Sequence, residues 1–351
     1  MPFSPDSTKQ KTDIKSLSKA ELEEFLRPMV VKSFRVNQIY SWLHQKQVLT
    51  FDEMTNLPAS LREELSSICY ISVANIEKKL VSSYDNTIKY LFSFQDGECV
   101  ESVVMDYHHG RSMCISTQVG CKMGCTFCAT GKAGFVRNLT ASEILAQIHA
   151  AQKDLNIRIS SVVLMGMGEP LDNYDNVLKF LSLATDSDGL ALGARHITLS
   201  TCGIVPKIYE LAESGIPVTL SLSLHATTDE IRSRTMPVNK KYPIEEAIRA
   251  CKYYASVTGR RITYEYALIS GVNDSDTDAL RLANLIKGSL CHVNLIPVNP
   301  VKGTGYTQSS DKRLRAFQKV LTDNRVNATV RRTLGSDISA SCGQLRGSHT
   351  K

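Results

Sequence analysis

From residue 112 onward, short apolar runs alternate with longer amphipathic stretches, and this alternation restricts the fold more than any other feature of the chain. The runs at 113–117, 161–166, 196–200, 218–224, 262–269 and 292–297 read as strands. The stretches at 141–154, 174–185, 204–214, 244–257, 275–287 and 311–324 read as helices. Thr140 and the segment Asn273 to Asp276 supply helix N-caps. Apolar strands separated by helices predict an α/β fold with a parallel sheet. Six units are too few to close the eight-unit barrel. The expected architecture is therefore a partial, open (β/α)6 barrel, with the apolar run 327–332 available as one more strand. In such sheets the chemistry gathers at the C-terminal strand ends. Here those ends carry Gly166-Met-Gly168-Glu169-Pro170, Ser200-Thr-Cys-Gly203, Ser223-Leu-His225, Gly271-Val-Asn-Asp274 and Pro297-Val-Asn299-Pro300. Turns need Gly and Pro, but they do not need Glu169, His225 and Asn299.

The first strand leads into Cys121-Lys-Met-Gly-Cys125-Thr-Phe-Cys128. A structural zinc site takes four ligands, usually as two separated pairs. Three thiolates on one short loop instead suit a four-iron, four-sulfur cluster with one iron left open for a ligand. Gly120 and Gly124 allow the loop to bend tightly. Ten cysteines in a chain with no apolar signal segment point to reduced, metal-bound or catalytic thiols rather than a disulfide framework.

No apolar run is long enough to span a bilayer, so the expectation is a cytoplasmic protein with no membrane partner. The net charge of +6 is compatible with an RNA substrate without establishing one. Basic pairs occur at Lys240-Lys241, Arg260-Arg261, Lys312-Arg313 with Arg315, and Arg331-Arg332; single clusters of this kind are commonly solvated surface. Residues 1–15 read as a disordered tail. A small helical module follows, with capping-box patterns at Ser18/Glu21 and Ser60/Glu63 and a helix over 36–47 carrying Trp42. Its basic residues are Lys19, Arg27, Lys32, Arg35 and Lys46, and its aromatic residues read as core. The pattern then changes to a hairpin, 87–94 and 99–107, around the turn Asp96-Gly97. A domain boundary is expected near 95, dividing an accessory domain (1–95) from the barrel (96–351), with the hairpin as bridge.

Taken singly, other polar residues are ambiguous. Glu169 follows two glycines that allow close backbone approach to a ligand, and it could accept an ammonium group. Ser200 and Ser223 could bond a ribose or carboxylate, or cap a helix. His225 alone reads as a core histidine, Asn299 as an adenosine contact or a turn. By spacing, Cys114 is a core residue and Cys342 an incidental thiol in a flexible, small-residue segment near the C-terminus. Cys69, Cys99, Cys202, Cys251 and Cys291 read as buried hydrophobes, and His108-His109 as loop.

Together these segments resemble the RlmN/Cfr family of radical S-adenosylmethionine (SAM) RNA methyltransferases from about Val36 to Arg346. The resemblance is carried by Val100-Glu101-Ser-Val, Cys114 to Gly131, Arg137-Asn-Leu-Thr140, Met165 to Pro170, Ser221 to His225, Arg234 to Asn239, Asn294 to Pro300 and Asp337 to Leu345. It implies one 4Fe-4S cluster on Cys121, Cys125 and Cys128, whose open iron chelates SAM. SAM contacts would come from Gly168, Glu169, Ser200, Ser223, Leu224, His225 and Asn299. It further implies two SAM molecules per turnover. The first methylates Cys342. The second yields a 5′-deoxyadenosyl radical that removes a hydrogen from that S-methyl group, and the carbon then adds to an adenine. Cys114 would resolve the protein–RNA link through a transient disulfide with Cys342, and Glu101 matches the proton acceptor, a role for which Cys114 competes. The substrate implied is 23S rRNA, with tRNA as a second candidate. A donor such as flavodoxin or ferredoxin would supply the electron, and the enzyme would be a monomer. Gly193-Ala-Arg-His-Ile-Thr, Lys252-Tyr-Tyr and Thr258-Gly-Arg-Arg261 look more like the RlmN type, which methylates adenine carbon 2, than the Cfr type, which methylates carbon 8. The rival from another class is an iron–sulfur RNA-binding or redox-sensing protein without turnover; such a sensor would have no use for a distant thiol at Cys342.

Overall fold

The structure is a computed structural model that describes residues 11–345 apart from 109, 300 and 302. Residues 1–10 of the expected tail, His109, Pro300 and Arg346 lie outside the described residues.

Ten strands form one sheet, laid side by side in chain order. They are β1 (Asn75–Val81), β2 (Ile88–Ser93), β3 (Cys99–Tyr107), β4 (Gly110–Cys114), β5 (Ser161–Leu164), β6 (Ile197–Thr201), β7 (Thr219–Ser223), β8 (Ile262–Leu268), β9 (Cys291–Pro297) and β10 (Ala328–Val330). Strands β4 to β10 run parallel, and β1 to β3 extend the sheet antiparallel from β4. The outer strands β1 and β10 do not pair with each other, so the barrel is open. Helices cover the outer face of the parallel strands. Those helices are α5 (Ala141–Leu155), α6 (Tyr174–Thr185), α7 (Val205–Glu213), α9 (Ile244–Thr258), α10 (Asp276–Ile286) and α11 (Asp311–Asp323), with two short ones, α4 (Ala129–Ala133) and α8 (Asp229–Thr235), in the loops above the strand ends. Thr140 and Ser275 cap α5 and α10 through full capping boxes. The N-terminal module is built of α1 (Lys19–Leu26), α2 (Ser33–His44) and α3 (Ala59–Ile68), and its apolar residues run without a break into the barrel core.

The structure corrects several expectations. Residues 11–15 are ordered. Thr12–Asp13 pairs with Cys69–Tyr70, Ile14 and Lys15 are buried, and Asp13 accepts hydrogen bonds from Ser16, Ser72, Thr140 and Ser142. One carboxylate thus ties a polar segment to both the module and α5. Helix α3 begins at Ala59, before Ser60, and its cap position is Pro58, with no side-chain cap bond. The first parallel strand ends at Cys114, earlier than the apolar run suggests. From Ser116 the backbone turns to Gln147, which accepts from the Ser116 amide at 2.9 Å and donates to its carbonyl at 2.9 Å, replacing a strand partner. The outer strand β1 escaped the sequence reading because it is almost wholly exposed and lacks an apolar face. Residue 95, the expected divide, lies at the turn that joins β2 to β3.

Candidate active site

The strand ends surround a cavity containing about 970 Å³ of space free of protein atoms, counted to its open mouth. Cys121, Cys125 and Cys128 line it together with Gly168, Glu169, Ser200, Ser223, His225 and Asn299. A two-stranded ribbon holds the three cysteines there. Gln118–Gly120 pairs antiparallel with Phe135–Asn138, and the Cys121 amide donates to the Gly134 carbonyl at 2.7 Å. Gly120 has φ +75°, and a Cβ there would collide with the Gly134 carbonyl oxygen, so glycine is required for this closure. The loop leans on α8 through the Thr126 amide, which donates to the Thr235 carbonyl at 2.9 Å.

Burial pushes the Cys121 thiol up to about 12 and raises Cys125 as well, and the neighbouring thiols raise both further. Three thiols gathered at one cavity are a donor set suited to a cationic iron–sulfur core, whose charge would offset the mutual repulsion of their thiolates. Three thiols on one short loop are one ligand short of a closed tetrahedral zinc site and match a four-iron core with one iron open.

Glu169 is buried. Its Oε2 accepts from the Cys202 amide at 2.7 Å and Oε1 from the Leu171 amide at 3.1 Å; burial nonetheless raises its carboxyl above the ordinary value. The side chains of Thr201 and Cys202 also bond to this carboxylate, which holds it firmly at the cavity wall. The preceding glycine corrects the sequence reading. Gly168 has φ +101°, and a Cβ there would lie 2.6 Å from Gln118 Cβ, so it serves close packing against the first loop rather than ligand approach alone. His225 takes a left-handed backbone at φ +54°, a strained position for a side-chain-bearing residue. Its Nδ1 accepts from the Ala267 amide at 2.9 Å, which leaves Nε2 to carry the proton. Burial, and then the Arg232 charge, press it to about 3, so the ring is neutral. Ser200 and Ser223 stand with their hydroxyl oxygens 3.4 Å apart. Leu224 is not in the cavity lining. Its side chain is wholly buried, its amide donates to the Glu265 carbonyl and its carbonyl accepts from Arg232.

Cys342 lines this cavity and also a smaller one behind it, which Cys114 lines. Met165, Ile296, Asn299 and Arg331 share that dividing wall. Asn299 donates from Nδ2 to the Cys342 carbonyl at 3.0 Å. Burial pushes the Cys114 thiol up to about 12, with Cys342 the next contributor. Glu101 lines neither cavity, and its carboxylate pairs with Lys89 at 3.2 Å. It nevertheless lies on the same face of β3 as Val103 and Met105, which do line the smaller cavity.

Three residues were missed from the sequence. Arg331, read as half of a surface basic pair, turns inward to the dividing wall, and the charges of Cys342, Glu265 and Cys114 raise its guanidinium. Glu265 hides in an apolar strand; it lines the main cavity, accepts from Ser221 and Asn294, and burial raises its carboxyl. Arg232 is fully buried and donates to the carbonyls of Cys202, Ser223 and Leu224 and to Asn239 Oδ1, fixing the ends of β6 and β7 from behind. A charged residue inside a strand, as at Glu265, was the one available signal.

An open parallel barrel with a three-cysteine loop at its first strand end defines a radical SAM protein. Residues 115–283 match the Radical SAM superfamily, and residues 12–71 match the ribosomal RNA large subunit methyltransferase N-terminal domain. The chain is 55% identical over 340 residues to a probable dual-specificity RNA methyltransferase RlmN of Alkaliphilus oremlandii, covering 97% of this chain and 99% of that one. It is 52% identical to the protein of the same name in Clostridium novyi, covering 94% and 96%. Its structure resembles a crystal structure of a radical SAM methyltransferase from Sphaerobacter thermophilus, with a TM-score of 0.92, 43% identity, and coverage of 96% and 100%. The chain belongs to the RlmN family of radical SAM RNA methyltransferases. Membership implies a 4Fe-4S cluster and SAM. Among the described residues no helix is long and apolar enough to cross a membrane.

Proposed function

We propose that the chain methylates carbon 2 of an adenine in 23S rRNA, with a tRNA adenine beside the anticodon as second substrate, and that the methyl group passes through Cys342. The observation that carries this reading is the place of Cys342 in the wall between two cavities. A thiol there can be loaded from the cysteine-lined side and released by Cys114 on the other. The relatives' dual-specificity name and the ribosomal description of the N-terminal family support the two RNA classes.

When bound, the cluster and SAM supply the methyl group and the one-electron chemistry that an electron-poor amidine carbon requires. Cys121, Cys125 and Cys128 would hold the cluster. Glu169 offers a carboxylate to the SAM ammonium group, Ser200 and Ser223 offer hydroxyls, and Gly168, His225 and Asn299 complete the contact surface. Leu224, with both backbone groups engaged, supports that surface from behind. Cys342 accepts the methyl group by displacement. The Cys114 thiolate then attacks the Cys342 sulfur: an S–S bond forms, the bond from that sulfur to the transferred carbon breaks, the carbon takes up a proton to become the methyl group of the freed base, and the disulfide is reduced before the next turnover. We assign the adenine proton to Glu101, the position that matches the family's proton acceptor; the Cys114 thiol, pushed up to about 12 by burial, has its own proton to lose when it attacks Cys342. The helical module of α1, α2 and α3 would grip RNA, and the target base must leave its stack to reach the cavity.

The test is anaerobic. The reconstituted enzyme, with SAM, a reductant such as flavodoxin or ferredoxin, and an rRNA fragment, is followed by nucleoside mass spectrometry. 2-Methyladenosine is the expected product; 8-methyladenosine would reassign the target carbon, and SAM cleavage without a methylated nucleoside would reassign the substrate.

A further inference from the structure

Among the described residues, the stretch after β10 has no strand or α-helix, only a single 3-10 turn at Ser336–Ile338. A segment of this kind orders only where side chains hold it. Cys342 lies within it, so something outside the segment must decide where the thiol stands. The carboxyl-side grip comes from the cysteine loop's own helix: the Ala129 amide donates to the Gly343 carbonyl at 2.8 Å, and Thr130 Oγ1 to the Leu345 carbonyl at 2.7 Å. The amino-side grip comes from the far hairpin. In the turn between β1 and β2, Ser82 Oγ donates to Asp337 Oδ1 at 2.7 Å, and the Ser83 amide and Oγ donate to Oδ2 at 2.9 and 3.0 Å. Asp85 returns the contact, accepting from the Gly335 amide at 2.9 Å, and Lys89 reaches the Ser339 carbonyl at 3.3 Å. The turn is itself braced by the Ser82 amide donating to the Thr87 carbonyl and the Thr87 amide donating to Asp85 Oδ1, so it can act as a fixed support. The bonds from Ser82 and Ser83 hold the Asp337 carboxyl below its ordinary range, as a carboxylate.

We propose that Asp337, clasped by the Ser82–Asp85 turn, is a positioning residue that holds Cys342 in the wall between the two cavities and opposite Cys114. The inference rests on the reading of Cys342 and Cys114 as partners. Asp337 touches neither cavity and acts only through the segment it anchors. The turn between β1 and β2, whose first strand the sequence did not reveal, thus governs the reach of a thiol more than 250 positions away in sequence.

The test uses the full-length chain with diamide as oxidant. Oxidation joins the two sulfurs, and diamide takes up the two electrons and two protons to become a hydrazine. Peptide mass spectrometry follows the Cys114–Cys342 bond while hydrogen–deuterium exchange follows residues 335–345. Asp337→Asn should slow the bond by about tenfold, because a freed thiol spends less time in register with its partner. It should also speed exchange in the segment, with the thermal midpoint unchanged. In methylation it should lower kcat and leave KM for RNA unaltered. Ser82→Ala with Ser83→Ala attacks the same clasp from the other side. It should give the same slowing and should not add to Asp337→Asn. Unchanged bond formation and exchange in both variants, or full additivity between them, would overturn the clasp. If the wild-type chain forms no Cys114–Cys342 bond at all, the pairing of those thiols fails; exchange in 335–345 then decides the clasp alone, faster in both variants supporting it and unchanged overturning it.

Discussion

The cysteine loop and the Cys342 segment meet at one cavity but are held in opposite ways. The loop carries its own support: a ribbon partner within twenty residues, a glycine closure at Gly120 and a short helix at α4. The Cys342 segment has only single turns of its own, such as the Ala340 amide on the Gly335 carbonyl. Besides Asn299, its anchors at Ser82, Ser83, Asp85 and Thr130 lie more than 200 positions away in sequence. A metal-binding loop has to present several ligands at fixed spacing, and local geometry secures that. A thiol that serves two cavities has to be steered, and steering is supplied from outside.

The comparison can be broken by removing one thiol from each region. Cys125→Ala should abolish both iron incorporation and methylation, read by absorbance and nucleoside analysis, while leaving diamide-driven Cys114–Cys342 closure near its wild-type rate. Loss of that closure would mean the two regions are not independently supported. Cys342→Ala should likewise end methylation, but with cluster absorbance intact; surviving methylation would remove the thiol from the reaction.

Two further variants sharpen the contrast at smaller scale. Arg232→Met strands three buried carbonyls behind the cavity and should cost about 3–5 kcal/mol in denaturant unfolding. Exchange should rise around the loop, which leans on α8, more than in 335–341. The reverse pattern would assign Arg232 to the wrong region. Thr130→Val removes the bond to the Leu345 carbonyl and should cost about 1 kcal/mol, with faster exchange confined to 343–345. An effect spreading to the cysteine loop would show that the two regions share one support after all.

Legibility in the sequence follows the same divide. The six parallel strands and their helices were readable because each is a local pattern, an apolar run or a 3.6-residue period, and the ends of most fall within a few residues of those expected. The three cluster cysteines were readable for the same reason. Cys114 and Cys342 were not: by spacing, one is a core thiol and the other incidental, and only the resemblance to a family gave them roles. Arg331 was misread because a basic pair says nothing about which member turns inward. Glu265 lay inside an apolar strand and was overlooked there. Residues 11–15 looked like a tail because the bonds that order them run to Ser72, Thr140 and Ser142.

The amino-acid sequence by itself determined the strand–helix alternation, the loop that can hold a cluster, and the polar residues waiting at the strand ends, since each depends on interactions between near neighbours. Only the tertiary structure decided that the open barrel carries a three-strand antiparallel extension, that Arg232 fixes two strand ends from behind, and that Cys342 stands between two cavities under the grip of a distant turn. Those outcomes rest on contacts across the fold, where loop-closure entropy and packing choose the partner and no local pattern announces it.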